Sequence, residues 1–311
     1  MGCYPTIKDD SYDFFDVIEN YINKANDAQY KDTDLQNFSD CDNFSTVQSS
    51  FTNSTIAKRT CVEIVKLYKS LNSLKLNLTG ANDYKNDSRF FNYWVNFKTS
   101  KSMIDESDCI KLIYNAIESQ CVDDFNNMGD TTLIYDINKN DLNKMNILYS
   151  LYDNYTKLKA IEYKNAEQDK QQLLSLSTAC CTDYIKASYM CNEENINNNR
   201  KFCEKLTAFQ SKYDKLYEEA VRKGSDYSKN FIRLSECGNN KIITTAATGS
   251  IVGLIPLFGI LYKFTPMGQM FRSKKGILNN DEEMTKISST EHDNEPLRFQ
   301  QGSYNIKYES L

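Results

Sequence analysis

Apolar residues recur at three-to-four spacing through most of the chain, the period of a helix with one buried face. From Asp10, "DSYDFFDVIENYINKA" sets Phe14, Ile18, Tyr21 or Ile22 and Ala25 on one stripe, with Asp10 placed to cap the helix. "STIAKRTCVEIVKLYKSLNSLK" repeats the pattern through Cys61, Ile64, Tyr68 and Leu71. "SRFFNYWVNFK" aligns Phe90, the single Trp94 and Phe97, and "ESDCIKLIYNAIESQCVDDF" aligns Ile110, Ile113, Ile117 and Cys121. After a break at Gly129, "DLNKMNILYSLYDNYTKLKAIEYK" carries Leu142, Met145, Tyr149 and Tyr152, and no strong stop appears before Leu173. "LLSLSTACCTDYIKASYMC" follows, then "NRKFCEKLTAFQSKYDKLYEEAVRK" with Phe202, Leu206, Phe209, Tyr213 and Leu216 or Tyr217, ended by Gly224. Strand-type alternation is scarce, so these stripes predict an all-α, multi-helix domain over residues 1–240, its longest helices between about 130 and 225.

One segment breaks the pattern. Ile242 to Tyr262, within "IITTAATGSIVGLIPLFGILYKFTPMG", holds no charge and is about 21 residues long, matching the roughly 20 that cross a hydrocarbon layer as a helix. Pro256 would kink a soluble helix but is tolerated in a bilayer. The expected organisation is a helical ectodomain (1–240), one transmembrane helix (241–262) and a polar tail (263–311). Gly249 and Gly253 place a G-x-x-x-G pair where two spans would pack. No cleaved signal is expected, because "MGCYPTIKDDSYDFF" lacks an apolar run behind a basic start. Lys263, Arg272, Lys274 and Lys275 after the span, against Lys229, Arg233 and Lys241 before it, favour a cytosolic tail by one residue. "MGCYPT" argues the other way: it fits a myristoylation pattern, with Cys3 beside Gly2 as a palmitate acceptor, and would hold the N-terminus at a cytosolic face.

Cysteine usage sharpens the topology. All ten cysteines precede the apolar run and none follows it, as expected if the large domain sits in an oxidising space and the tail in a reducing one. Cys41, Cys61, Cys109, Cys121, Cys180, Cys181, Cys191, Cys203 and Cys237 are the disulfide candidates, and spacing leaves their connectivity open. Cys109/Cys121 and Cys191/Cys203 share a separation of 12; on a continuous helix that is about 18 Å, beyond a disulfide's reach. Any bridge must cross to another element or close around a loop, and the Asn-rich 191–200 reads as such a loop.

Composition excludes several function classes. A net charge of -5 and a pI near 5.2 give no basic surface for nucleic acid. No Walker loop, dinucleotide glycine fingerprint, HExxH, GxSxG or CxxC occurs, and the single His292 lies in the tail, so no catalytic, cofactor or metal residues are assigned. Sequons at Asn37, Asn43, Asn53, Asn77, Asn86 and Asn154 would accept glycans in a secretory lumen.

The ordered landmarks resemble the Plasmodium interspersed repeat (PIR) superfamily, the Vir/Kir/Cir/Yir/Bir variant proteins of malaria parasites. "SYDFFDVI" at 11–18 is similar to its opening SYxFYxxL-like element, "FNYWV" at 91–95 to its xLNYWL segment, and "LYSLYDNY" at 148–155 to its LYDYxxNY segment. "CTDYIKASYMC" at 181–191 is similar to its C-x-Y-I block, and "LYKFTPMGQMFRSKKG" at 261–276 to its YKFTPxGxWLRxxxxK junction. The chain departs from the pattern at Gln269-Met270-Phe271, at Cys3, and at Phe90, where members often carry cysteine. The resemblance implies a variant surface antigen of infected red cells, acting in immune evasion or in adhesion to a host receptor, with a host protein or antibody as partner. The competing expectation is an intracellular, membrane-anchored adaptor or trafficking protein with its helical domain in the cytosol.

Overall fold

The computed structural model describes residues 12–31, 38–47, 50–76, 78–104, 108–125 and 133–238. The expected span with Ile242, Gly249, Gly253 and Tyr262, the tail, Gly2, Cys3, Asn37 and Asn77 lie outside the described residues. Among the described residues the only strand-like pairing is an isolated bridge between Phe51 and Met103, so the fold is all-α. No described helix is long and apolar enough to cross a membrane.

The helices are α1 (Ile18–Asp27), α2 (Ser39–Val47), α3 (Ser54–Ser70), α4 (Asn72–Lys75), α5 (Asn82–Ser102) and α6 (Ile110–Gln120). They continue with α7 (Lys139–Lys159), α8 (Ala166–Met190), α9 (Arg200–Lys223) and α10 (Ser225–Ser228). A 3-10 turn, Asp13–Val17, precedes α1 and drives Phe14 and Phe15 into the core. Side-chain caps set several starts: the Asn53, Asn138 and Asn165 carbonyl oxygens accept from the N–H groups of Ile56, Asp141 and Gln168. Gly224 ends α9 at φ 138°, a conformation that L side chains rarely adopt.

α5 is the hub. Phe90, Phe91, Tyr93, Trp94, Val95 and Phe97 are all buried, so the helix is enclosed on several sides, where the sequence pattern had marked one stripe. Tyr93 lies 5.5 Å from Phe14 and 5.8 Å from both Phe97 and Tyr149, within the range where aromatic pairs attract. Tyr21 stacks on Phe90 at 4.5 Å, and its hydroxyl donates to the buried Asp87 carboxylate at 2.7 Å. Ser73 donates to the other Asp87 oxygen, so the charge is satisfied from two elements.

Two asparagines one turn apart on α5 hold the extended segment before α7. Tyr135 N–H donates to Asn92 Oδ1, Ile137 N–H donates to Asn96 Oδ1, and Asn96 Nδ2 donates to Tyr135 O, each at 2.9 Å. The side-chain amides thus stand in for a neighbouring strand and satisfy partly buried backbone groups.

One expectation is corrected. The periodic run from Asp141 does not continue to Leu173: α7 stops at Lys159 and α8 starts at Ala166. The break contains neither Gly nor Pro; Tyr163 adopts φ 58°, with its ring packed edge-on against Tyr227 at 4.9 Å. In addition α2, a short and mostly polar helix that buries Cys41 and Phe44, stands where no stripe was visible.

Candidate functional site

α7 runs along α8 and α9, and the chain beyond α10 returns to close this layer. Ile232 N–H donates to Ser177 Oγ on α8 at 3.2 Å, and Tyr213 of α9 donates to Ile232 O at 2.9 Å. That return brings Cys237 to Cys181, and the two form a disulfide. Cys191 caps the C-terminus of α8, and the turn through Ile196–Asn199 leads Cys203, in the first turn of α9, back to it as a second bridge. The third joins Cys41 of α2 to Cys61 of α3. Cys109 is also disulfide-bonded.

Two of the nine candidates are not bridged. Cys121 and Cys180 carry free, buried thiols. For Cys180 the reason is helix phase: successive residues on α8 are about 100° apart, so Cys181 meets Cys237 while Cys180 points at Leu151 O of α7, 4.0 Å away. Burial, with the Asp183 and Asp153 carboxylates adding to it, pushes the Cys180 thiol far above its usual range. Cys121 ends α6 with its Sγ 3.7 Å from that of Cys61 and 3.9 Å from that of Cys41. Burial first, then Asp124 and Asp40, pushes its thiol up to about 12. The sequence singled out all three cysteines but carried no signal for their convergence, which depends on α2.

The bridged turn between α8 and α9 carries exposed apolar side chains. Ile185 and Tyr189 lie one turn apart on α8, and Ile196 follows in the 3-10 turn; all three are exposed, Tyr189 to 76%. Glu193 and Glu194 flank them in the open. Asn199 Nδ2 donates to Met190 O at 2.9 Å, so a hydrogen bond and a cystine both fix the turn that carries this apolar edge. Rigid presentation of an aromatic ring is what a protein contact surface requires, because ordering costs are then met before binding.

Other features are structural. Of the described sequons, Asn43 and Asn53 are exposed, whereas Asn154 is buried and donates to Ser150 O, so it is closed to a glycan in the folded domain. A shallow groove of about 330 Å³ between α1 and α3 is lined by Lys24, Lys66 and Lys69. Lys66 donates to Gln29 O at 2.9 Å and Lys69 pairs with Asp124 at 2.5 Å, so two of the three lysines there are already in use. Glu19 of α1 pairs with Lys212 of α9 at 2.8 Å and Lys159 of α7 at 3.0 Å. Burial opposes its charge, but the two lysines outweigh it and hold the carboxyl below its usual range.

The landmark segments fall on these structural parts. Phe14 and Phe15 of "SYDFFDVI", Asn92 and Tyr93 of "FNYWV", and Leu148, Leu151 and Tyr152 of "LYSLYDNY" are all buried. Comparison with protein-family models, with curated proteins and with solved structures finds no match.

Proposed function

We propose that the chain is a membrane-displayed interaction protein of the PIR type, a variant surface antigen of the infected red cell. In this reading residues 1–240 lie outside, Ile242 to Tyr262 span the bilayer, and 263–311 form a cytosolic tail. The observation that carries it is the cystine framework: seven of the nine described cysteines are bridged, and structural disulfides persist in oxidising spaces but rarely in cytosol. The pinned edge with Ile185, Tyr189 and Ile196 is the surface offered to a host receptor or antibody. Burial of the landmark residues is what this reading expects of a scaffold, with exposed turns free to vary.

Protease treatment of intact infected cells tests the reading. The ectodomain is expected to be cut from outside. Survival of the full-length chain under conditions that degrade a known surface protein overturns display and leaves the cytosolic adaptor. Thiol labelling supplies an independent check: in denaturant without reductant, Cys121 and Cys180 react and the bridged cysteines do not. Labelling of all ten cysteines in freshly isolated, alkylated chain places the domain in a reducing compartment.

A further inference from the structure

Cys41, Cys61 and Cys121 are brought together from α2, from α3 and from the end of α6, and none has measurable exposure. One disulfide uses two of these sulfurs, and the third stands almost equally far from both, at 3.7 and 3.9 Å. Near-equal distances place Cys121 abreast of the S–S bond and off its extension, the direction from which a thiolate attacks a disulfide. Thiol exchange therefore does not explain the arrangement.

Metal coordination does. For tetrahedral zinc with Zn–S near 2.3 Å, neighbouring sulfurs lie about 3.8 Å apart. Both separations made by Cys121 already have that length. Opening the Cys41–Cys61 bond relaxes the remaining side of the triangle toward the same value. Asp124 and Asp40 act on Cys121 through space against the opposing charge of Lys69, which pairs with Asp124, so it is the sulfur spacing that favours a cation. Thiolate sets of this kind select soft ions.

The geometry points to a metal site in the reduced form of the domain: Cys41, Cys61 and Cys121 together bind one thiophilic cation, zinc or monovalent copper. A cellular thiol or dithiol reductant supplies two electrons and two protons to the Cys41–Cys61 bond, yielding two thiols and the oxidised reductant. Metal binding then forms three metal–sulfur bonds and releases the thiol protons to solvent. The chain thus has two exclusive states at this cluster, a cystine that ties α2 to α3 where the surroundings oxidise and a metal that ties α2, α3 and α6 where they reduce. This inference stands whether or not the domain is displayed outside a cell.

The test uses full-length chain, reduced and freed of reductant under anaerobic conditions, then titrated with zinc against a chromophoric chelator. Cobalt serves as a second probe for its sulfur-to-metal charge-transfer absorbance. One high-affinity equivalent is expected, weakened at least tenfold in Cys121→Ser and unchanged in Cys191→Ser. Cys121→Ser leaves the Cys41–Cys61 bridge intact, so its oxidised form reports whether the variant folds. Equal uptake by wild type and Cys121→Ser, uptake lost equally in Cys191→Ser, or equal uptake by the oxidised chain overturns the site.

Discussion

The helices before Asn138 and those after it are braced by different means. The earlier ones, α1 to α6, are held by stacked aromatics, a buried carboxylate with two hydroxyl donors, and an asparagine clasp on an extended segment. Their Cys41–Cys61 bridge closes a separation of only 20 residues and has a spare thiol beside it. Of the later ones, α7 to α9 are long and regular, and two bridges fasten the α8–α9 turn and the returning segment. The spare thiol there, Cys180, has no bridge within reach because it faces α7. Chain order accounts for the returning segment: α7 to α9 follow one another with short connections, whereas the segment carrying Cys237 must come back across the layer to reach Cys181, 56 residues away in sequence. The earlier, shorter helices must be organised around α5 by side-chain chemistry.

The largest expected effect is at the tail. Cys181→Ser removes a bridge across 56 residues, worth about 4 kcal/mol in the loop-entropy picture, and denaturant unfolding should register a loss of that order. Peptide mapping should find Cys237 unbridged. A Cys180–Cys237 bridge in that variant would break the comparison, since it would mean that helix phase does not separate the two cysteines. Next comes the clasp. Asn96→Ala removes the side-chain bonds to Ile137 N–H and Tyr135 O in a partly buried region, which should cost about 2 kcal/mol, with hydrogen exchange at Ile137 accelerated ahead of α7. An unchanged exchange rate would show that the segment holds its place without α5.

A smaller effect is expected where a substitute stands ready. Loss of the 20-residue bridge alone would cost about 3 kcal/mol. In Cys41→Ser, however, Cys121 is already 3.7 Å from Cys61, and aerobic oxidation should join them, returning much of that loss. Mass mapping that finds Cys61 and Cys121 both free would remove the distinction between the two spare thiols.

Legibility in the sequence divides along the same line. Helices with one apolar stripe, such as α9 with Phe202, Leu206, Phe209 and Tyr213, were readable because burial follows a single period. α2 was not: its sequence SDCDNFSTV is mostly polar around the buried Cys41 and Phe44, and a disulfide supplies what periodicity would have shown. The end of α7 was hidden because Tyr163 takes a left-handed conformation with no glycine to announce it. The asparagine clasp was invisible in principle: Asn92 and Asn96 look like polar interruptions of an apolar helix until the segment they hold is in view. The closure of Cys191 on Cys203 around the Asn-rich loop was suggested by helix geometry, whereas the meeting of Cys41, Cys61 and Cys121 depends on tertiary packing alone.

The smallest effect concerns alkaline pH and compares the two spare thiols directly. Both are pushed up by burial, Cys121 to about 12 and Cys180 well above the usual thiol value of 9.0. In the unfolded chain they lose their protons near the usual value, while the folded chain retains them, so the unfolded state binds fewer protons above about pH 9. Stability is therefore fully present below that pH and declines as pH rises toward the folded values. The useful window lies just above pH 9, before the buried tyrosines Tyr12, Tyr21 and Tyr114, also pushed up, join the titration. Unfolding midpoints at pH 8 and 9.5 should fall for wild type and fall less for both Cys121→Ala and Cys180→Ala. Both thiols are fully buried, so each alanine variant should also lose stability at pH 8 through the cavity left behind, and the comparison rests on the change between the two pH values. A midpoint that falls equally in wild type and both variants would assign the alkaline loss to the tyrosines and leave the thiols without a part in it.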